Sequence, residues 1–166
     1  MAELVVVHGT PGAGKTTHSE RLSQFSCGGC QIFHISAGNR LREICTGAFQ
    51  SSFGFEINNP NAPALLDHRI VNGVIFEFVA DCASNSIVLV DGYPRFSEAV
   101  GLFTDAIRTG NHKLLGCINL GVSLETSMSR LSGRGARRGE RISICRDSVE
   151  RRYLEHLTYT TEAINV

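Results

Sequence analysis

The chain has 166 residues, 42% of them hydrophobic, and its 16 basic and 16 acidic side chains leave a formal net charge of zero. A single domain of this length buries about 70% of the surface its unfolded chain exposes, so a disulfide or metal staple is not needed for folding. Neutrality argues against bulk electrostatic binding of nucleic acid, so any anion binding has to be local.

In chain order, Glu3–His8 (ELVVVH) is a β-branched apolar run that stops at Gly9, the pattern of a buried parallel strand. A helix is expected over Gly14–Phe25. Cys27-Gly28-Gly29-Cys30 is a CxxC with no second pair and no nearby HxxxH, so it reads as a loop pair rather than a four-ligand zinc site. Gln31–Ser36 (QIFHIS) is a second strand and Gly38–Thr46 a helix. Residues 50–63 have loop composition, with Ser, Gly, Asn and two prolines. Leu65–Asp81 has helical periodicity. Ser86–Val90 (SIVLV) is a third strand, stopped by Asp91-Gly92. Pro94–Arg108 reads as a helix with proline in its first turn. Lys113–Leu120 (KLLGCINL) is a fourth strand, and helices are expected over Ser123–Leu131 and Arg146–Ile164. This alternation implies an α/β fold, a parallel sheet covered on both faces, in a single domain over 1–166. Two excursions, at about 44–70 and 132–145, are read as grafts on that core.

The six cysteines (Cys27, Cys30, Cys45, Cys82, Cys117 and Cys145) are expected to be reduced, in a cytoplasmic chain without a signal peptide. No apolar run reaches the roughly 18 residues of a membrane span, and no membrane partner is expected.

Gly9-Thr10-Pro11-Gly12-Ala13-Gly14-Lys15-Thr16 fits GxxxxGK[ST] between a predicted strand and a predicted helix, the context this motif requires. Glycines let backbone N–H groups converge on phosphate oxygens, and the helix N-terminus adds partial positive charge. Gly12, Ala13, Gly14, Lys15, Thr16 and Thr17 are therefore the candidate nucleoside triphosphate cradle. Lys15 would reach the terminal phosphates and the Thr16 hydroxyl would ligate Mg²⁺. No NKxD base-reading motif of a GTPase is present, and the segment after strand two carries a cation and no acid, which suits an anionic acceptor. Asp91, at the end of the third strand, can sit beside the cradle and hold Mg²⁺ through water. Arg95 then projects from a Gly-Tyr-Pro turn with a fork able to grip a phosphate.

Taken together, GxPGxGKxT at 9–17, SAGxxLR at 36–42, DGYPR at 91–95 and an arginine-rich segment at 130–152 resemble the adenylate kinase family of nucleoside monophosphate kinases, over most of the chain. The resemblance implies a three-layer P-loop NTPase fold with strand order 2-3-1-4, an NMP-binding excursion and a short lid. It implies Mg²⁺ as cofactor and ATP as co-substrate. Ser36, Gly38, Arg42, Gly92 and Arg95 would hold the monophosphate acceptor. Arg130 and Arg134 would flank ATP. Arg141 and Arg152 would join Lys15 and Arg95 as catalytic cations on the transferring phosphoryl group, a role typically worth about 10³–10⁵ in rate.

The chain departs from the family pattern in several places. The family's acidic lid pair falls on Ser143-Ile144, its motif Asp on Asn39, and its adenine-reading Gln on Ala99, beside Glu98. Ser36-Ala37-Gly38 resembles the UMP/CMP kinase version. Family members continue with a further strand and helix, whereas 14 residues follow Arg152 (166 − 152), so a fifth strand is missing or not in this chain and the fourth is expected at an edge. Arg137, Arg138 and Arg146 have no counterpart. The leading expectation is transfer of the γ-phosphate of Mg-ATP to a nucleoside monophosphate, AMP first, by a monomer that binds small-molecule nucleotides. A UMP/CMP-type kinase and a catalytically degenerate nucleotide-binding protein are the alternatives. A third, a nucleic-acid binder using the arginine segment, rests on eight of the 16 basic residues lying between 130 and 152. Stacking aromatics are sparse there, and no nucleic-acid partner is expected.

Overall fold

The computed structural model describes residues 1–58, 67–137 and 146–160, the stretch 133–137 by its backbone alone. Strand β1 (Ala2–Gly9) leads through the glycine-rich loop into α1 (Lys15–Leu22), and a short strand β2 (Ser26–Cys27) turns back into β3 (Cys30–Ser36). Helix α2 (Ala37–Cys45), the single turn α3 (Gly54–Ile57) and α4 (His68–Asp81) precede β4 (Ser86–Asp91). Then come α5 (Ser97–Thr109), β5 (Lys113–Leu120), α6 (Leu124–Arg137) and α7 (Arg146–Glu155), whose last turn widens into a π-helix over His156–Thr160.

The sheet order is β2-β3-β4-β1-β5. β3, β4, β1 and β5 are parallel neighbours and β2 pairs antiparallel with β3. The four predicted strands thus take the expected 2-3-1-4 order, with β2 added at one side. Sequence reading leaves Cys27–Cys30 as a loop; the structure makes it a hairpin. Its Gly-Gly centre supplies the two positive φ angles that a two-residue connection needs.

The period of two along the strands divides the sheet. Leu4 and Val6 of β1, Ile35 of β3, and Val88 and Val90 of β4 join Ile75 and Val79 of α4 and Phe103 and Ile107 of α5 in one buried core. Residues of opposite parity, Val5, Val7, His34 and Leu89, point to the other face, the side of α1. A smaller cluster of Ile44, Ile57 and Val74 fastens α2 and α3 to α4. Glu77 of α4 supports the same region, accepting from the Ser51 hydroxyl (2.6 Å), the Ser52 amide (3.0 Å) and the Ser52 hydroxyl. β5 is an edge strand among the described residues, and Leu114, Leu115 and Ile118 are exposed on it. No helix among the described residues is long and apolar enough to cross a membrane.

Several predicted ends move. α5 begins at Ser97, so Pro94 lies outside it, in a turn where the Tyr93–Pro94 peptide is cis. Residues 54–57, inside a stretch read as loop, form one helical turn. α6 runs on to Arg137, so 132–137 of the expected lid are helix; residues 138–145 and 161–166 lie outside the described residues.

Candidate functional site

Three strand ends converge. Val7 and Ser36 both register with Asp91, so β4 delivers its terminal carboxylate between the glycine-rich loop and the start of α2. β1 meets β5 so closely at Gly9 that an added Cβ would sit 2.1 Å from the Leu120 carbonyl oxygen, so only glycine fits there. The loop is then set to enter α1 at Lys15, directly after Gly14.

Within this junction the Thr16 hydroxyl donates to Asp91 Oδ2 at 2.6 Å. Lys15 Nζ donates to the carbonyls of Gly9 (2.7 Å) and Thr10 (3.0 Å). Asp91 is buried, and His34 Nε2 stands 3.8 Å from its Oδ2. Burial works to raise the Asp91 pKa, but neighbouring His34, the Thr16 hydroxyl and the Lys15 charge outweigh it and hold the carboxyl below its usual range. Asp91 is therefore anionic at neutral pH.

On the side expected to take the acceptor, Ser36 stands at the N-terminus of α2. Arg42 donates through Nη2 to Asn39 Oδ1, and its guanidinium lies over Gly38, 3.7 Å from where a Cβ would stand. The neutral Asn39 oxygen orients Arg42 without cancelling its charge. Arg95 Nε donates to the Gly92 carbonyl at 2.8 Å, and its Nη2 is 3.3 Å from the position of a Cβ on Gly92. The turn itself is anchored by Tyr93, buried edge-on against Phe103 with its hydroxyl donating to the His68 carbonyl at 3.3 Å. Partial dehydration lowers the Arg95 pKa; Asp91 opposes this and the like charge of Arg152 adds to it, so Arg152 acts on the same space. His8, buried beneath, is pushed down to about 4 by burial and then by His156, Arg95 and Lys15, and is neutral at pH 7.

Helix α6 packs on the glycine-rich loop. Ser127, fully buried, donates to the Pro11 carbonyl, and Arg130 Nη1 donates to the Gly12 carbonyl at 3.1 Å. The Thr10 hydroxyl accepts from Val122 N at 3.1 Å, and the Val122 carbonyl accepts from the Tyr153 hydroxyl at 3.0 Å. One residue thereby joins the loop, the segment after β5 and α7, which carries Arg152.

Of the predicted residues, Gly12, Ala13, Gly14, Lys15, Thr16, Asp91, Gly92, Arg95, Ser36 and Arg130 meet at this junction, and Gly38 and Arg42 follow Ser36 along α2. Thr17 is exposed on the first turn of α1. The Arg134 side chain and all of Arg141 lie outside the described residues, as do the side chains of Arg137 and Arg138. Sequence reading misses Ser127, Tyr153, His8 and His34. His8 and His34 carry a readable signal, a polar residue inside an otherwise apolar strand.

A family model described as an AAA domain matches residues 8–145. An adenylate kinase of Helicobacter hepaticus is 30% identical over 137 residues, covering 81% of this chain and 69% of the relative. One of Mycolicibacterium smegmatis is 34% identical over 136 residues, covering 79% and 70%. The chain belongs to the adenylate kinase family. An adenylate kinase of Latilactobacillus sakei, 31% identical over 134 residues, is matched over only 57% of its length, so this chain spans little more than half of that relative.

The site of this adenylate kinase family member sets Lys15, Arg95 and Arg152 around the Thr16–Asp91 hydroxyl–carboxylate pair, with Arg42 on the helix that starts at Ser36. Magnesium prefers a few oxygen ligands and keeps waters and phosphate oxygens for the rest of its shell. Thr16 and anionic Asp91 fit that demand. No group of three or more His, Cys, Asp or Glu side chains able to hold a metal occurs among the described residues.

Proposed function

We propose that this chain transfers the γ-phosphoryl group of Mg-ATP to a nucleoside monophosphate, AMP first, giving ADP and a nucleoside diphosphate. The observation that carries the reading is Asp91, bonded to Thr16 of the donor cradle and in register with Ser36 at the head of the acceptor segment. Donor and acceptor subsites would meet at this carboxylate, which sets the two phosphates close together, as direct in-line transfer requires.

Lys15 and the amides of 12–17 bind the donor phosphates; Lys15 exchanges its bonds to Gly9 and Thr10 for phosphate oxygens. Arg42 and Arg95 hold the acceptor phosphate. Arg95 and Arg152 neutralise charge on the transferring group, and Arg130, fixed on Gly12, flanks the donor. Magnesium, when bound through Thr16 and water on Asp91, supplies charge neutralisation on the donor phosphates. The acceptor oxygen is already anionic at neutral pH, so no general base is needed. Residues 44–70 serve as the NMP-binding excursion and 132–145 as the lid bearing Arg141.

A second reading, a UMP/CMP-type kinase, draws on Ala99. This position is fully buried in the core against α4, so it offers no polar atom to an adenine edge. A coupled ADP-release assay with Mg-ATP against AMP, CMP, UMP, GMP and dTMP tests both. Turnover highest with AMP supports the first and highest with UMP or CMP the second. Tight ATP binding without turnover of any acceptor overturns both in favour of a degenerate binder.

A further inference from the structure

The hairpin joining α1 to β3 is not used by the phosphate site. Cys27 and Cys30 stand directly opposite each other across it in antiparallel register, so their side chains leave the same face. Gly28 (φ 58°) and Gly29 (φ 80°) form the two-residue connection, and a Cβ added at either would meet nothing within 4 Å. Backbone sign, not crowding, therefore demands glycine, and the turn sets the two cysteines face to face.

Paired strands hold hydrogen-bonded partners with Cα atoms roughly 5.5 Å apart, inside the span of a disulfide. Their Cβ atoms stand about 4.5–5.5 Å apart, against the 3.5–4.5 Å a relaxed bridge prefers. A bridge here has to draw the strands together, which makes it easily reduced rather than a permanent staple. Cys27 is exposed and Cys30 partly so. Other cysteines differ. Cys82 donates to the Phe78 carbonyl at 3.2 Å, and burial pushes its thiol up to about 11. Burial also raises Cys117. Among the described residues no third His, Cys, Asp or Glu joins the pair, so the four ligands of a structural zinc are not gathered.

We propose that Cys27 and Cys30 are a dithiol modification site that exchanges reversibly with low-molecular-weight disulfides of the glutathione class. The Cys27 thiolate attacks one sulfur of the small disulfide, forming a mixed disulfide and expelling one thiolate. The Cys30 thiolate then attacks Cys27 Sγ, forms the internal bond and expels the second. Two protein thiols are oxidised, one disulfide is reduced to two thiols, and the two protein thiol protons pass to those products. β3 spans seven residues from Cys30 to Ser36, so the dithiol lies about 20 Å from the acceptor segment and reacts independently of nucleotide.

The test incubates the full chain in glutathione buffers of increasing oxidised fraction, alkylates remaining thiols and digests with trypsin. Cleavage after Arg21 and Arg40 puts both cysteines in one peptide. The expected result is a peptide lighter by two hydrogens and refractory to alkylation, restored by excess reduced glutathione, while the Cys82 peptide stays alkylated. Cys30→Ser is expected to stop at glutathione on Cys27. Alkylation of both cysteines at every ratio, or glutathione retained on Cys27 in the unsubstituted chain, would overturn the proposal. So would a bridge from either cysteine to Cys45.

Discussion

Arg152 is exposed on α7, yet its charge is felt at Arg95, so it contributes to the field at the site without contributing to the core. Its removal should therefore separate catalysis from stability. Arg152→Ala is expected to lower kcat by about 10²–10³ at an unchanged Tm, measured in the coupled assay and by thermal unfolding; turnover like that of the parent would remove it from the mechanism. Gly92 makes the opposite case. Its φ of 80° lies in the left-handed region, and a Cβ there would stand 3.3 Å from Arg95 Nη2. Gly92→Ala should cost about 1–2 kcal/mol in urea unfolding, from the backbone conformation alone. It should also raise KM for the acceptor, because Arg95 must shift; an unchanged KM would show that Arg95 does not hold the acceptor phosphate. At this scale the sequence was legible where chemistry demands a fixed local order, as in Gly14-Lys15-Thr16 and Asp91-Gly92. It was silent on Ser127 and Thr10, whose partners are 116 and 112 residues away, beyond any local pattern.

Elements were legible by their apolar runs and less so by their ends. All four parallel strands were readable because each is a largely apolar run bounded by a turn signal, even β5, which lies mostly exposed at the edge of the sheet. The start of α5 was not, because Tyr93 is held by the His68 carbonyl and fixes Pro94 in the turn, and that bond joins elements far apart in sequence. The hairpin of β2 was readable in principle, since Gly-Gly between short strands is a turn signal; at two residues, β2 is too short to show an alternating run of its own. Helix α7 shows how packing between elements supports function. A hydrogen bond to the β5–α6 junction runs from Tyr153 to Val122, whose amide is bonded to Thr10 of the phosphate loop. Tyr153→Phe keeps the ring and deletes only that bond, at a cost of about 1 kcal/mol. If the bond positions Arg152, kcat falls several-fold while KM for both nucleotides holds. A loss of stability with kcat unchanged would reduce the contact to packing.

For the whole molecule, the buried histidines set how stability depends on pH. His8 lies under the phosphate loop, 3% exposed, with its pKa depressed from 6.5 to about 4. Burial, then Lys15 and Arg95, also depresses His156. A depressed basic group is neutral in both states above 6.5, so it costs nothing there. Between 6.5 and 4 the unfolded chain takes up a proton that the folded chain refuses, so stability falls as pH falls through that window. For His8 alone the loss between pH 7 and pH 5 is about 2 kcal/mol, and His156 adds in the same direction. Asp91 and Glu77 are depressed acids; their contribution is present above the ordinary carboxylate range and is lost only as pH falls below it. The histidine loss therefore comes first, at milder acidity. Urea unfolding at closely spaced pH values should show the decline beginning near pH 6.5. His8→Leu, which places an apolar side chain in an apolar strand, should flatten the part of that decline due to His8. Parallel pH profiles for the two proteins would mean that His8 carries no proton linkage and that acid sensitivity resides elsewhere in the fold.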